Sequence, residues 1–172
     1  MHRQSMMAAC VVCAGLVGGC GERSVNGPPN TRLGRDVCAE CDMIVSDDRY
    51  AAGAVIRKEG RLEHAHYDDI GCLLDHARFH PDIEFVEEYV RDSITRQWVR
   101  AAGASFVMSE QVHTPMASGI AGFATLEAAG ESAGGLGVKV QAWDEVRASR
   151  REWMESRYGK PALPGGDGPG SK

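Results

Sequence analysis

The most constraining stretch of this chain is a hairpin that runs directly into a capped helix. Ala51–Arg57 (AAGAVIR) predicts a strand, and Lys58-Glu59-Gly60 predicts its turn. Arg61–Tyr67 (RLEHAHY) alternates polar and apolar residues, as a half-buried partner strand does. Asp68 or Asp69 then caps a helix over Ile70–Arg78, with Ile70, Leu73, Leu74 and Ala77 on one face. His80-Pro81 stops it. A strand–strand–helix unit is therefore fixed by local signals alone.

Farther along, Ile83–Arg91 and Trp98–Ala102 predict strands on either side of a polar turn at Asp92–Arg96. Ser105–Met108 extends the second of these or forms a short strand of its own. Ser109–Ser118 (SEQVHTPMAS) is a polar loop. Ile120–Phe123 is a short strand, and Thr125 caps a helix from Leu126 to about Ala133, ended by Gly134-Gly135 and Gly137. Val138–Trp143 predicts a strand and Asp144–Trp153 a final helix that runs toward Arg157. There is a faint internal echo. An aromatic residue, a polar cap and a helix follow a strand at His66–Ile70 and again at Gly122–Leu126.

The N-terminus has a different character. One cation, Arg3, precedes an apolar stretch from Met6 to Val17, and small residues then lead to Cys20. This is the layout of a secretory signal over residues 1–19. Leu16-Val17-Gly18-Gly19-Cys20 looks like a bacterial lipoprotein cleavage box, which makes Cys20 the lipidated first residue of the mature chain. Two or more acyl chains give durable membrane anchoring. Residues 20–35, rich in Gly, Pro and Asn, predict a flexible tether; 36–160 form the folded domain; 161–172 predict a disordered tail. No apolar run is long enough for a spanning helix, and the net charge of −5 argues against nucleic-acid binding. Of the six cysteines, only Cys38, Cys41 and Cys72 belong to the folded domain as thiols.

Four clusters carry chemistry. Cys38-Ala39-Glu40-Cys41-Asp42-Met43 sets thiols and a thioether in one loop, a soft donor set that favours Cu(I). The same stretch is open to a disulfide, a redox pair or plain packing. Met108 with His113-Thr114-Pro115-Met116 offers thioethers and an imidazole, all acceptable to copper. His64 and His66 share a strand face and could join a cysteine in a zinc site, although a solvated face explains them as well. His76 and His80 are expected at the surface. Asp68 and Asp69 fit a helix cap, and Cys72 is either a small buried residue or a thiol acidified by the helix dipole. There is no phosphate loop, nucleophile elbow or catalytic carboxylate pair.

Taken in order, the lipobox, Cys38-x-x-Cys41-x-Met43, Tyr67-Asp68-Asp69-Ile70-Gly71-Cys72 and Thr114-Pro115-Met116-Ala117-Ser118-Gly119 resemble the NosL family over Asp36 to Val146. These are lipid-anchored copper chaperones that support maturation of nitrous oxide reductase. The resemblance implies an α+β fold of two small strand–strand–helix units, similar in part to organomercurial lyase. It implies a binding protein rather than an enzyme, placed on the periplasmic side of the cell envelope. It would hold Cu(I) and deliver it to nitrous oxide reductase with an associated membrane transporter complex. The family's Cys-x-Met falls on Cys41 and Met43 and its loop methionine on Met116. His113 and Met108 are second candidates, and Cys38 is a fourth sulfur or a resting disulfide partner. The family's Pro-Met-Gly is Pro115-Met116-Ala117 here, and its aromatic-Tyr-Val strand is Gln97-Trp98-Val99. Two rival readings are an organomercurial-lyase-like enzyme using Asp68 or Asp69 with a cysteine, and a structural domain stabilised by zinc or a disulfide.

Overall fold

Glu59 (φ 50°) and Gly60 (φ 79°) both take left-handed backbone, as a two-residue hairpin turn requires. They join β1 (Ala52–Lys58) to β2 (Arg61–Tyr67), paired antiparallel from Lys58↔Arg61 to Ala52↔Tyr67. The computed structural model describes residues 25–159. The leader 1–19, Cys20 and the tail from Pro161 lie outside those residues. After β2 come α1 (Ile70–Phe79), β3 (Glu84–Arg91), β4 (Trp98–Arg100), β5 (Ser105–Met108), β6 (Ile120–Phe123), α2 (Leu126–Leu136) and α3 (Trp143–Tyr158).

The first sheet has the order β2-β1-β3-β4 and is antiparallel throughout. β1 is its buried centre, which is why Ala52, Ala54, Val55 and Ile56 form an apolar run. β2 is an edge and keeps the alternating pattern. Helix α1 buries Ile70, Leu73 and Leu74 in the core with Tyr67, Val90, Phe106, Ile120, Trp143 and Val146. A second, smaller core joins Val107, Ala121 and Phe123 to Ala129 and Ala133 of α2. The β5–β6 hairpin lies between the two. Side chains alternate along a strand, so Phe106 and Ile120 enter the first core while Val107 and Ala121 enter the second.

The two strand–strand–helix units are thus present as β1-β2-α1 and β5-β6-α2, within an α+β fold. The first sheet gains β3 and β4, and α3 closes the structure. This last helix is held by ion pairs: Arg150 grips Asp75 of α1 at 2.7 Å, with both residues buried, and Arg147 reaches Glu88 at 2.8 Å. Among the described residues, no helix is long and apolar enough to cross a membrane.

Four expectations need correction. The strand predicted over Trp98–Ala102 ends at Arg100, and a 3-10 turn at Ala101–Gly103 separates it from β5. Helix α2 continues through Gly134 and Gly135 and is terminated by Gly137 alone (φ 68°). Val138–Trp143 is not a strand. Only Gln141 makes a bridge, exchanging backbone bonds with Phe106, before α3 begins at Trp143. Val138 and Val140 do alternate inward, but they pack on the second core without a strand partner. Finally, residues 25–35 lie against the sheet, where a spacer was expected. Pro29 is fully buried, close to Gly53, and the Gly27 N–H donates to Glu87 at 2.8 Å.

Candidate metal centre

The segment 34–46 forms a tight loop before β1. Val37 and Ile44 make an antiparallel bridge; the Cys38 N–H donates to the Met43 carbonyl at 2.8 Å and Val45 N–H to Asp36 at 2.8 Å. Asp42 takes left-handed backbone (φ 59°) at the tip, a conformation that a short polar side chain tolerates. The Ala39 N–H donates to the His66 carbonyl and ties the tip to β2. Cys38 is thereby fully buried, Cys41 is half-buried, and Met43 projects outward, 57% exposed.

The first turn of α1 brings Cys72 to this tip. The Sγ atoms of Cys38, Cys41 and Cys72 lie within 4.8 Å of one another, and those of Cys72 and Cys41 stand 3.9 Å apart. All three are free thiols, so the Cys38–Cys41 disulfide is not formed. One negative charge suits such a cluster. The Cys72 thiol and the backbone N–H groups of Asp68, Cys41 and Glu40 hydrogen-bond to Cys38 and hold its pKa down to about 5. Burial raises Cys41, and Cys72 is raised by its hydrogen bond to Cys38 and by burial. Dipole acidification of Cys72 is therefore corrected: the proximity of the Cys38 thiolate outweighs the helix terminus.

The paired aspartates do more than cap. Asp69 does cap α1, accepting from the Gly71 N–H at 2.6 Å, yet its carboxylate is fully buried beneath the 109–119 loop. It also accepts from the Thr114 hydroxyl at 2.5 Å, the Met116 N–H at 3.1 Å and the Ser118 hydroxyl. Asp68 accepts from the Ser46 N–H at 2.7 Å and its hydroxyl at 3.1 Å, which secures the exit of the cysteine loop. Two adjacent side chains thus fix two distant loops at the helix end that carries Cys72. Gly71 permits the approach, because a Cβ there would stand 2.4 Å from that of Ser118.

Met116, 40% exposed, is placed by this loop over the N-terminus of α1. Met108 and His113 face elsewhere: both line a groove of about 770 Å³ between the loop and α3, with Trp153 and Arg157. His64 and His66 join no metal-capable cluster among the described residues. His66 instead bonds Thr31 at 2.9 Å, and burial lowers its pKa. His76, expected at the surface, is only 5% exposed because Tyr67 and Phe85 pack against its ring. The residue undervalued by sequence reasoning is Cys72. Its signal was available in the Asp-Asp-Ile-Gly-Cys spacing, which sets a thiol in the first helical turn.

The comparisons with known proteins agree with this architecture. The NosL family model matches residues 30–150. No curated protein matches the chain. The crystal structure of the copper chaperone NosL from Shewanella denitrificans superposes with a TM-score of 0.52 at 18% identity, covering 71% of this chain and 94% of that one. At that identity the superposition establishes a shared fold. The match over residues 30–150 takes in both loops, α1 and the whole of the two-core framework, and on that ground the chain belongs to the NosL family.

Proposed function

We propose that this protein is a Cu(I)-binding chaperone of the cell envelope that delivers copper to nitrous oxide reductase. The observation that carries the reading is the cluster of three free thiols within 4.8 Å, two of them on a loop that also presents an exposed methionine and the third on the first turn of α1. Thiolates suit both Cu(I) and Zn(II), and it is the neighbouring thioethers, which zinc rarely takes, that favour Cu(I). Hydrogen bonds that lower the Cys38 pKa favour negative charge within the cluster, the sign that a cation requires. Cys41, Met43 and Met116 form the accessible side of the site, and Cys38 and Cys72 its buried side. Met108 and His113, which line the groove beside α3, stand outside this donor set.

Transfer in this arrangement is ligand exchange, with no turnover chemistry. An acceptor displaces the exposed thioethers first and the half-buried Cys41 next. The copper is never free, because a sulfur from one protein replaces a sulfur from the other. Asp68 and Asp69 are occupied by loop donors, a supporting role that differs from that of a free acid in a lyase. Anchoring through Cys20 would keep the carrier at the periplasmic face of a membrane, near a transporter complex that assists loading.

An anaerobic competition titration against a coloured Cu(I) chelator tests the reading. A single tight Cu(I) per reduced chain is expected, weakened strongly by Cys41→Ser and less by Met43→Ala or Met116→Ala. Unchanged affinity in Cys41→Ser would overturn the ligand assignment. Copper content of nitrous oxide reductase produced with and without this protein tests the delivery step.

A further inference from the structure

Beside the sulfur cluster, and not part of it, a second group of metal-capable side chains converges. Glu40, His76 and His80 bring one donor atom each to within 4.8 Å of the others. Only Glu40 shares a sequence stretch with the thiols. Glu40 lies between Cys38 and Cys41, but its carboxylate is directed toward the far end of α1 rather than its start. His76 and His80 stand four residues apart, on one face of the last turn and cap of that helix.

Three features go beyond proximity. First, Glu40 Oε2 is buried and has no hydrogen-bond partner; the His80 Nε2 stands 3.7 Å away, beyond hydrogen-bond distance. A buried carboxylate oxygen left without a donor is costly and is rarely tolerated without a counter-ion. Second, the Tyr67 hydroxyl bonds His76 Nδ1 at 2.8 Å, and Tyr67 is fully buried. Metal-binding histidines characteristically engage a neighbour through one ring nitrogen, which orients the other. Third, the site lies at the C-terminal end of α1, where the helix dipole favours a cation. His80 is 47% exposed on its side chain, so the group opens to solvent through that residue.

We propose that Glu40, His76 and His80 form a second metal site, selective for a borderline divalent cation of the Zn(II) type. Two imidazoles and a carboxylate, with one position left to water, are a donor set that zinc accepts and that Cu(I) does not prefer. Ligand atoms separated by up to 4.8 Å need to close only modestly around an ion with bonds of about 2.0–2.1 Å. A bound ion would pin the Cys38–Met43 loop to the end of α1. The inference does not depend on copper occupying the sulfur site.

The test is an anaerobic titration of the reduced protein with Co(II), a spectroscopic stand-in for Zn(II). Two Co(II) ions per chain are expected, one with thiolate-to-metal charge-transfer absorption and one without. His80→Ala and Glu40→Gln should weaken the second by about tenfold or more, since loss of a ligand exceeds loss of an outer partner. Cys72→Ser should alter only the first. Both His80 and Glu40 can be changed without opening the core, so folding is preserved. A single Co(II) per chain, or a second one indifferent to both substitutions, overturns the proposal.

Discussion

The two loops at the N-terminus of α1 are built on opposite principles. The cysteine loop supports itself: Val37 pairs with Ile44, Cys38 with Met43, and Val45 with Asp36 through backbone bonds. The methionine loop has bonds of its own, such as Ala117 N–H to Thr114, but several run through the Thr114 and Ser118 hydroxyls, and these hydroxyls in turn hang on the buried Asp69 carboxylate from another element. The first therefore buries its thiols in a fixed arrangement. The second can be released by changing a single side chain. For a protein that must hold a metal and give it up, stiffness on one side and dependence on the other are a workable division.

The sharpest way to break this contrast is Asp69→Ala. It removes the α1 cap and strands the Thr114, Met116 and Ser118 donors, so a loss of about 3 kcal/mol or more is expected in urea unfolding. Amide exchange should rise over 112–118 and stay low over 36–45; equal loosening of both loops would refute the asymmetry. Asp68→Ala should cost less, about 2 kcal/mol, since only Ser46 loses its acceptor. Its exchange signature should fall at the exit of the cysteine loop.

A pH experiment probes the stiff side. Cys38 is lowered from 9.0 to about 5, so its thiolate is present in the folded protein where the unfolded chain still holds the proton. Its contribution to stability is full above the unfolded value and disappears as the pH falls through about 5. Thiolate absorbance of the metal-free, reduced protein should show one thiol titrating in that region. Cys72→Ala should move this midpoint upward by about one unit, because it removes one hydrogen bond to a charged acceptor. The smallest effect is expected at Ala117, which adopts left-handed backbone (φ 53°). Ala117→Gly should relieve about 1 kcal/mol of strain, seen as a small rise in melting temperature.

What was legible in the sequence was local. The Glu59-Gly60 turn, the Asp69 cap and the alternation of Arg61–Tyr67 each depend on neighbours a few residues away, and the structure reproduces all three. The errors have a common physical origin in long-range contacts. Val138–Trp143 carries strand-like residues, but a strand needs a free edge to pair with, and only Phe106 meets it. His76 looks polar and exposed until Phe85, from a different strand, covers it. The role of Asp69 was half read, as a cap. Its other half depends on Thr114 and Ser118, more than forty positions away. The sulfur cluster likewise forms only when β2 and α1 carry Cys72 back to the loop that precedes β1.

The β5–β6 hairpin has a consequence for cooperativity. It is a wall common to two rooms: one face lines the larger core through Phe106 and Ile120, the other lines the smaller core through Val107 and Ala121. Neither core can melt while the other keeps that wall standing, so heat should unfold the described domain in one step, and neither half of the chain should fold alone. The methionine loop is the link between those same two strands. Its base is therefore as durable as the whole fold, and any motion of the loop is confined to its tip.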